Sequence, residues 1–148
     1  MAGSSEQTLR APARRGTVHA LRNQPDAAIE AHERARRLSP FDPFAWLSAY
    51  GIAIAHLVAR RFEPAIEWAD RVLHDQPRSV PAIRAKVVAN AHLGRLAEAR
   101  AELGRMLSLY PGLTVANYRP MTSPYASEVA ELFIAGLRLA GLPEGDGA

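Results

Sequence analysis

Three segments of the chain repeat one pattern. Residues 28–40 read AIEAHERARRLSP, residues 65–77 read AIEWADRVLHDQP, and residues 99–111 read ARAELGRMLSLYP. Their starts lie 37 and then 34 residues apart, and a period near 34 is that of a stacked helix-turn-helix unit. Such a chain builds surface by piling up helical pairs, because each pair buries its apolar stripe only against its neighbours. Ala28, Ile29, His32, Ala35 and Leu38 follow the three-four spacing of one helical stripe; so do Ala65, Ile66, Ala69, Val72 and Leu73, and Ala99, Leu103, Met106 and Leu107. Pro40, Pro77 and Pro111 stop the three helices, since proline lacks the amide and disfavours helix in the residue before it.

Each of these second (B) helices needs a first (A) helix in front of it. Asp42 followed by Pro43, and Ser79 followed by Val80 and Pro81, read as N-caps with proline in the first turn. They predict A helices over about 43–59 and 80–93, with turns at 60–62 and 94–96. Gly94 is suited to the left-handed backbone that closes a helix. Beyond Pro111 the spacing predicts a short helix over 112–118 and a break over 119–124. A last helix follows, capped by Ser123 with Pro124 at its first position. Tyr125, Val129, Leu132, Phe133, Leu137 and Ala140 form its apolar face, with Gly136 among them, where a neighbour can approach closely. The tail, 143–148, is expected to be loose.

The fold this predicts is all-α: a right-handed solenoid of helical hairpins, with about two and a half repeats and a C-terminal capping helix. Residues 1–22 read as a truncated first A helix, partly disordered, 23–41 as its B helix, and 42–78 and 79–112 as the second and third repeats. Residues 113–142 hold the short and capping helices.

Composition removes several alternatives. At 148 residues the chain is one domain. Its 18 basic residues outnumber 15 acidic ones, but Lys86 is the only lysine and the arginines are scattered, so a nucleic-acid surface is disfavoured. The absence of cysteine removes disulfides, thiolate chemistry and zinc knuckles. The apolar run 44–59 is shorter than the ~20 residues a bilayer requires and carries Ser48, Tyr50 and His56. It reads as a core helix, and with no apolar leader near the start a cytoplasmic location is expected.

None of the five histidines has metal-site spacing. His32 and His56 are expected to pack with one nitrogen satisfied, and His74 and His92 to face helix dipoles. No serine sits in a nucleophile elbow and no glycine cluster opens a helix. No catalytic, cofactor-binding or metal-binding residue is therefore assigned, and the expected role is non-enzymatic.

The small residues at the helix seams and the terminal prolines resemble the tetratricopeptide repeat. The third repeat carries the likeness best, through AHLGRLAEA (91–99) and Met106 to Pro111; the second keeps Ala53, Ala65, Ala69, Val72 and Pro77. The first keeps Gly16, Ala28, Ala35 and Pro40, but Pro12 interrupts its A helix. Over 23–144 the order RLSPFDP, AHLGRLAEA, PGLT and GLRLAGLPE is similar to the C-terminal repeat segment of bacterial multidomain proteins. Those proteins carry a class III adenylate or guanylate cyclase domain, or a winged-helix activator domain, in front.

The resemblance implies a scaffold that holds another protein or peptide in its concave groove. The alternative it implies is a regulatory remnant acting through an upstream or separate domain. By the repeat register the groove is lined by Leu47, Tyr50, Ile54, Leu57 and Val58, then by Pro81, Arg84, Val88, Ala91 and His92. Leu47, Tyr50, Ile54, Leu57, Arg84, Val88 and His92 are the candidate contacts, unless the chain's own termini fill the groove. The register puts Lys86 and Asn90 off it, which disfavours the chaperone C-terminus that some family members grip. The short first repeat leaves an N-terminal end to be covered by an upstream domain, a partner chain or a second copy in a homodimer.

Overall fold

A computed structural model describes residues 22–146, and within them every regular element is helical. The order is α1 (Pro25–Leu38), α2 (Ala45–Val58), α3 (Phe62–Asp75), α4 (Val80–His92), α5 (Leu96–Leu109) and α6 (Val115–Tyr118). A 3₁₀ turn (Arg119–Thr122) and α7 (Ser127–Ala140) follow. The helices form one bundle in which α1 packs on α2, α2 on α3, α3 on α4 and α4 on α5, while α7 returns to lie against α4. The expected first A helix, 1–22, falls outside the described residues except for its last residue.

The three segments that share a pattern become α1, α3 and α5, each of 14 residues. Each ends two residues before its proline. The residues between, Ser39, Gln76 and Tyr110, have φ/ψ of −147/76°, −131/76° and −135/76°. They are extended because the proline ring that follows excludes the α conformation. The two A-to-B turns match as well. Arg61 N–H donates to His56 O at 2.8 Å and Arg95 N–H to Asn90 O at 2.9 Å, around residues of positive φ. Glycine is at that position in one turn (Gly94, φ 80°) and arginine in the other (Arg60, φ 62°), at a cost of about 1–2 kcal/mol.

Helices α2 and α4 are buried on nearly every side, which is why their sequences lack a clear polar face. Among the polar residues of α4, Lys86 is paired across the helices: its Nζ bonds Asp70 on α3 at 2.9 Å and Glu102 on α5 at 3.0 Å. Helix α7 closes over the same α4. A Cβ added to Gly136 would stand 2.8 Å from Val88 Cγ1 and 2.9 Å from Val88 Cα. Because one of those atoms is backbone, Gly136→Ala forces the helices apart. We expect a net loss of about 1–2 kcal/mol in a thermal melt, after the roughly 1 kcal/mol that alanine returns in helix propensity.

Three local expectations are corrected and one holds. Helix α2 starts at Ala45, not Pro43, because Asp42 Oδ1 accepts from Phe44 N–H at 2.9 Å and spends its capping capacity on an Asx turn. Ser79 does cap α4, accepting from Ala82 N–H at 3.3 Å. Ser123 does not cap the last helix, which begins at Ser127; residues 119–122 are a 3₁₀ turn in which Thr122 Oγ1 donates to Arg119 O at 2.7 Å. The short helix is confined to Val115–Tyr118, where Thr114 and Asn117 form a reciprocal capping box.

The start of the tail is docked at Pro143 and Glu144, with residues 147–148 outside the described residues. Pro143 O and Glu144 O each accept, at 2.9 Å, from the Val115 and Ala116 amides, the first N–H groups of α6. Glu144 also accepts two hydrogen bonds from Arg138, at 2.7 and 3.1 Å. The orphan amides of a helix start give the tail a partner that its own composition does not disclose.

Candidate functional site

The seven candidate groove residues separate into two groups. Ile54, Leu57 and Val88 are within 1% of complete burial and belong to the core, with Val88 directly beneath Gly136 of α7. His92 is half-buried and held from both sides: its ring stacks on Phe62 with centroids 5.2 Å apart, and Nε2 lies 2.8 Å from Leu132 O of α7. That hydrogen bond replaces the dipole role expected of it. Val58 and Ala91 are buried as well. The chain's own C-terminal helix therefore occupies the stretch of groove that α4 would offer a partner around Val88 and His92.

Leu47, Tyr50 and Arg84 remain half-buried, and Pro81 is exposed. They lie on the first two turns of α2 and α4, away from the C-terminal ends of those helices, where α7 leaves only small clefts. One cleft of about 480 Å³ is lined by Arg60, His92, Glu128 and Leu132, and an adjoining one of about 230 Å³ shares Arg60, Glu128 and Leu132 with it.

The chemistry of the open stretch centres on Arg84. Its guanidinium stands 5.5 Å from the Tyr118 ring centroid, and Tyr50 and Tyr125 are the other phenols whose electrostatics it feels. Tyr125 is held in turn by Phe133 of α7, ring centroids 5.9 Å apart. Arg84 Nε and the Tyr118 hydroxyl are both buried without a hydrogen-bond partner. Burial pushes the Tyr50 phenol up, against the lowering effect of Arg84, and it pushes Tyr118 well up too. Both phenols are thus neutral at pH 7 and carry their protons. The register located Tyr50 and Arg84; Tyr118 and Tyr125 come from segments outside the repeats, and the spacing that put Tyr125 on an apolar face did not bring it to Arg84.

A second buried polar group sits at the α1–α2 seam. His32 is 0% exposed and neither ring nitrogen has a partner, against the expectation of one satisfied nitrogen. Burial lowers its pKa to about 4. His56, by contrast, accepts from Arg61 Nε–H at 3.0 Å. Among the described residues no group of three or more His, Asp or Glu side chains is placed to hold a metal ion, and no helix is long and apolar enough to cross a membrane. No protein-family model, curated protein or solved structure matches the chain.

Proposed function

We propose that the chain is a tetratricopeptide-like helical-hairpin solenoid that holds another protein and catalyses nothing. Two features support the solenoid reading. Hairpins α2–α3 and α4–α5 share the same left-handed turn closure, and from α1 to α5 each helix packs on the next in chain order. Repetition of one hairpin, each packed chiefly on its neighbours, is how such arrays are built, and α7 closes the stack against α4.

The partner surface is the open stretch of the concave side formed by Leu47, Tyr50 and Arg84. The observation that carries this reading is the partition of the candidate groove. α7 is built into the stretch around Val88 and His92, and the half-buried aliphatic, aromatic and cationic side chains that remain are of the kinds found at interface centres.

Site-specific photocrosslinking tests it. A crosslinking amino acid at Leu47 should trap one defined protein in the source cell, and the same group at exposed Ala101 on α5 should not. Leu47→Asp should abolish co-purification of that protein. Equal adduct patterns from the two positions, or capture indifferent to Leu47→Asp, would show that the patch is idle.

A further inference from the structure

The turn between α1 and α2 holds an aromatic ring in water. Phe41 is 95% exposed, and Leu38, the last residue of α1, is 61% exposed. The turn itself is tied. Asp42 N–H donates to Ser39 O at 3.3 Å, Ala45 N–H to Asp42 O at 3.0 Å and Phe44 N–H to Asp42 Oδ1 at 2.9 Å. Pro40 and Pro43 fix the backbone on either side of the ring. Phe41 is therefore presented outward by a fastened turn.

Successive helices joined by short turns run antiparallel, so the C-terminal ends of α1 and α3 share one edge of the bundle with the starts of α2 and α4. Arg36 of α1 and Arg71 of α3 meet there over Trp68, their guanidinium carbons 4.8 and 4.2 Å from the ring centroid. Over 36–44 and 71–79 four arginines stand against two aspartates, which is +2 of the chain's net +3. Arg37, Arg71 and Arg78 are exposed and have no carboxylate partner among the described residues. Helix dipoles account for Arg36 and Arg37 in the last turn of α1, but not for Arg78 in a loop or for a phenyl ring left in water. The opposite edge is neutralised: there Arg61 pairs with Asp26 at 3.7 Å, and Arg95 pairs with Glu63.

Shape and charge together select the occupant. Leu38 and Phe41 offer too little apolar surface for a specific protein interface, which buries about 1,200–2,000 Å². A fluid bilayer needs no matching surface: a protruding ring enters the headgroup region, and a basic flank supplies the second attraction that stable anchoring requires. Guanidinium groups also match phosphate oxygens two at a time. An apolar tip with cations behind it follows the layering of an anionic lipid surface.

We propose that this edge rests on an anionic bilayer, with Phe41 and Leu38 entering the headgroup–acyl boundary and Arg37, Arg71 and Arg78 pairing with lipid phosphates. The inference does not depend on the protein-binding reading above.

Co-sedimentation of the full chain with vesicles tests it. Phosphatidylcholine vesicles carrying about 30% phosphatidylserine should bind roughly tenfold more tightly than pure phosphatidylcholine. About 0.5 M NaCl should remove most of that difference, because the arginines are exposed and screened. Phe41→Ser should weaken binding roughly tenfold at an unchanged melting temperature, since the ring touches little of the fold. Arg37→Gln with Arg78→Gln should weaken it by about tenfold or more, and Arg95→Gln on the opposite edge should leave it unchanged.

No binding to the anionic vesicles, or equal binding by wild type and Phe41→Ser, overturns the proposal. So does a Phe41→Ser variant that melts several degrees lower, since the ring would then belong to the fold. Polyglutamate that binds as tightly as the vesicles and ignores Phe41→Ser would assign the edge to an acidic protein. A concentration-dependent dimer dissolved by Phe41→Ser would assign it to a second copy, and either result overturns the lipid reading.

Discussion

Gly51→Ala lowers the stability of the folded chain by about 3 kcal/mol, read as a drop in the denaturant midpoint at unchanged slope. A Cβ at position 51 would land inside the His32 ring, against Nε2, Cε1 and Cδ2. Gly51 lies in the middle of α2 and His32 in the middle of α1, so the imidazole lies flat on bare helix backbone. Alanine favours the helix by roughly 1 kcal/mol over glycine, but here it expels a fully buried ring. With His32 dislodged, Ala28 and Ala35 are small anchors for α1, and the helix comes loose. Amide exchange in α1 should accelerate before that in α4.

The double variant separates this account from a general intolerance of position 51. His32→Ala alone leaves a cavity and costs about 2 kcal/mol. Combined with Gly51→Ala it removes the ring that the new methyl would strike, so the pair should be more stable than the sum of the single losses by about 2 kcal/mol. Additive losses would mean that the ring and the glycine do not share one space.

How much of this was legible in advance depended on whether the cause was local. The B helices were legible because their stripes and the prolines that stop them lie within one segment: the register of 28–40, 65–77 and 99–111 returns as α1, α3 and α5 with the same 37 and 34 spacing. The Ser79 cap was legible for the same reason. Asp42 shows where local reading stops. Its carboxylate has two backbone uses a few residues apart, a helix cap or an Asx turn, and the sequence is the same for both.

The site was legible by halves. The repeat register brought Tyr50 and Arg84 together across two helices, since each occupies the same face of its own A helix. It assigned Ile54, Leu57 and Val88 to an open groove, and they are core. Gly136 could be marked as a point of close approach, but its partner, Val88, lies 48 residues away by the difference of their numbers and is fixed only by where α7 returns. The unspent donors of Arg84 and Tyr118, and the two unpartnered ring nitrogens of His32, depend on what three or four separate segments fail to supply. A missing partner leaves no trace in the residues nearby.

His32 makes stability depend on pH near neutrality. In the unfolded chain its pKa is about 6.5; in the fold, burial without a partner for either nitrogen lowers it to about 4. The folded state therefore binds fewer protons than the unfolded state between those values, and the stability present above pH 6.5 is lost as pH falls toward 4. Between pH 7 and pH 5 the loss should be about 2 kcal/mol. His56 adds a smaller loss of the same sign, since its burial and the neighbouring Arg61 charge both lower its pKa, with Glu67 opposing. The check is a series of denaturant melts across that range for the wild type and for His32→Leu, whose side chain cannot be charged. The wild type should weaken steadily on acidification while His32→Leu keeps only the shallow slope due to His56. Equal slopes in the two proteins would show that His32 finds, in solution, a proton acceptor or a route to water that relieves its burial, and the tight seam between α1 and Gly51 would have to open to allow it.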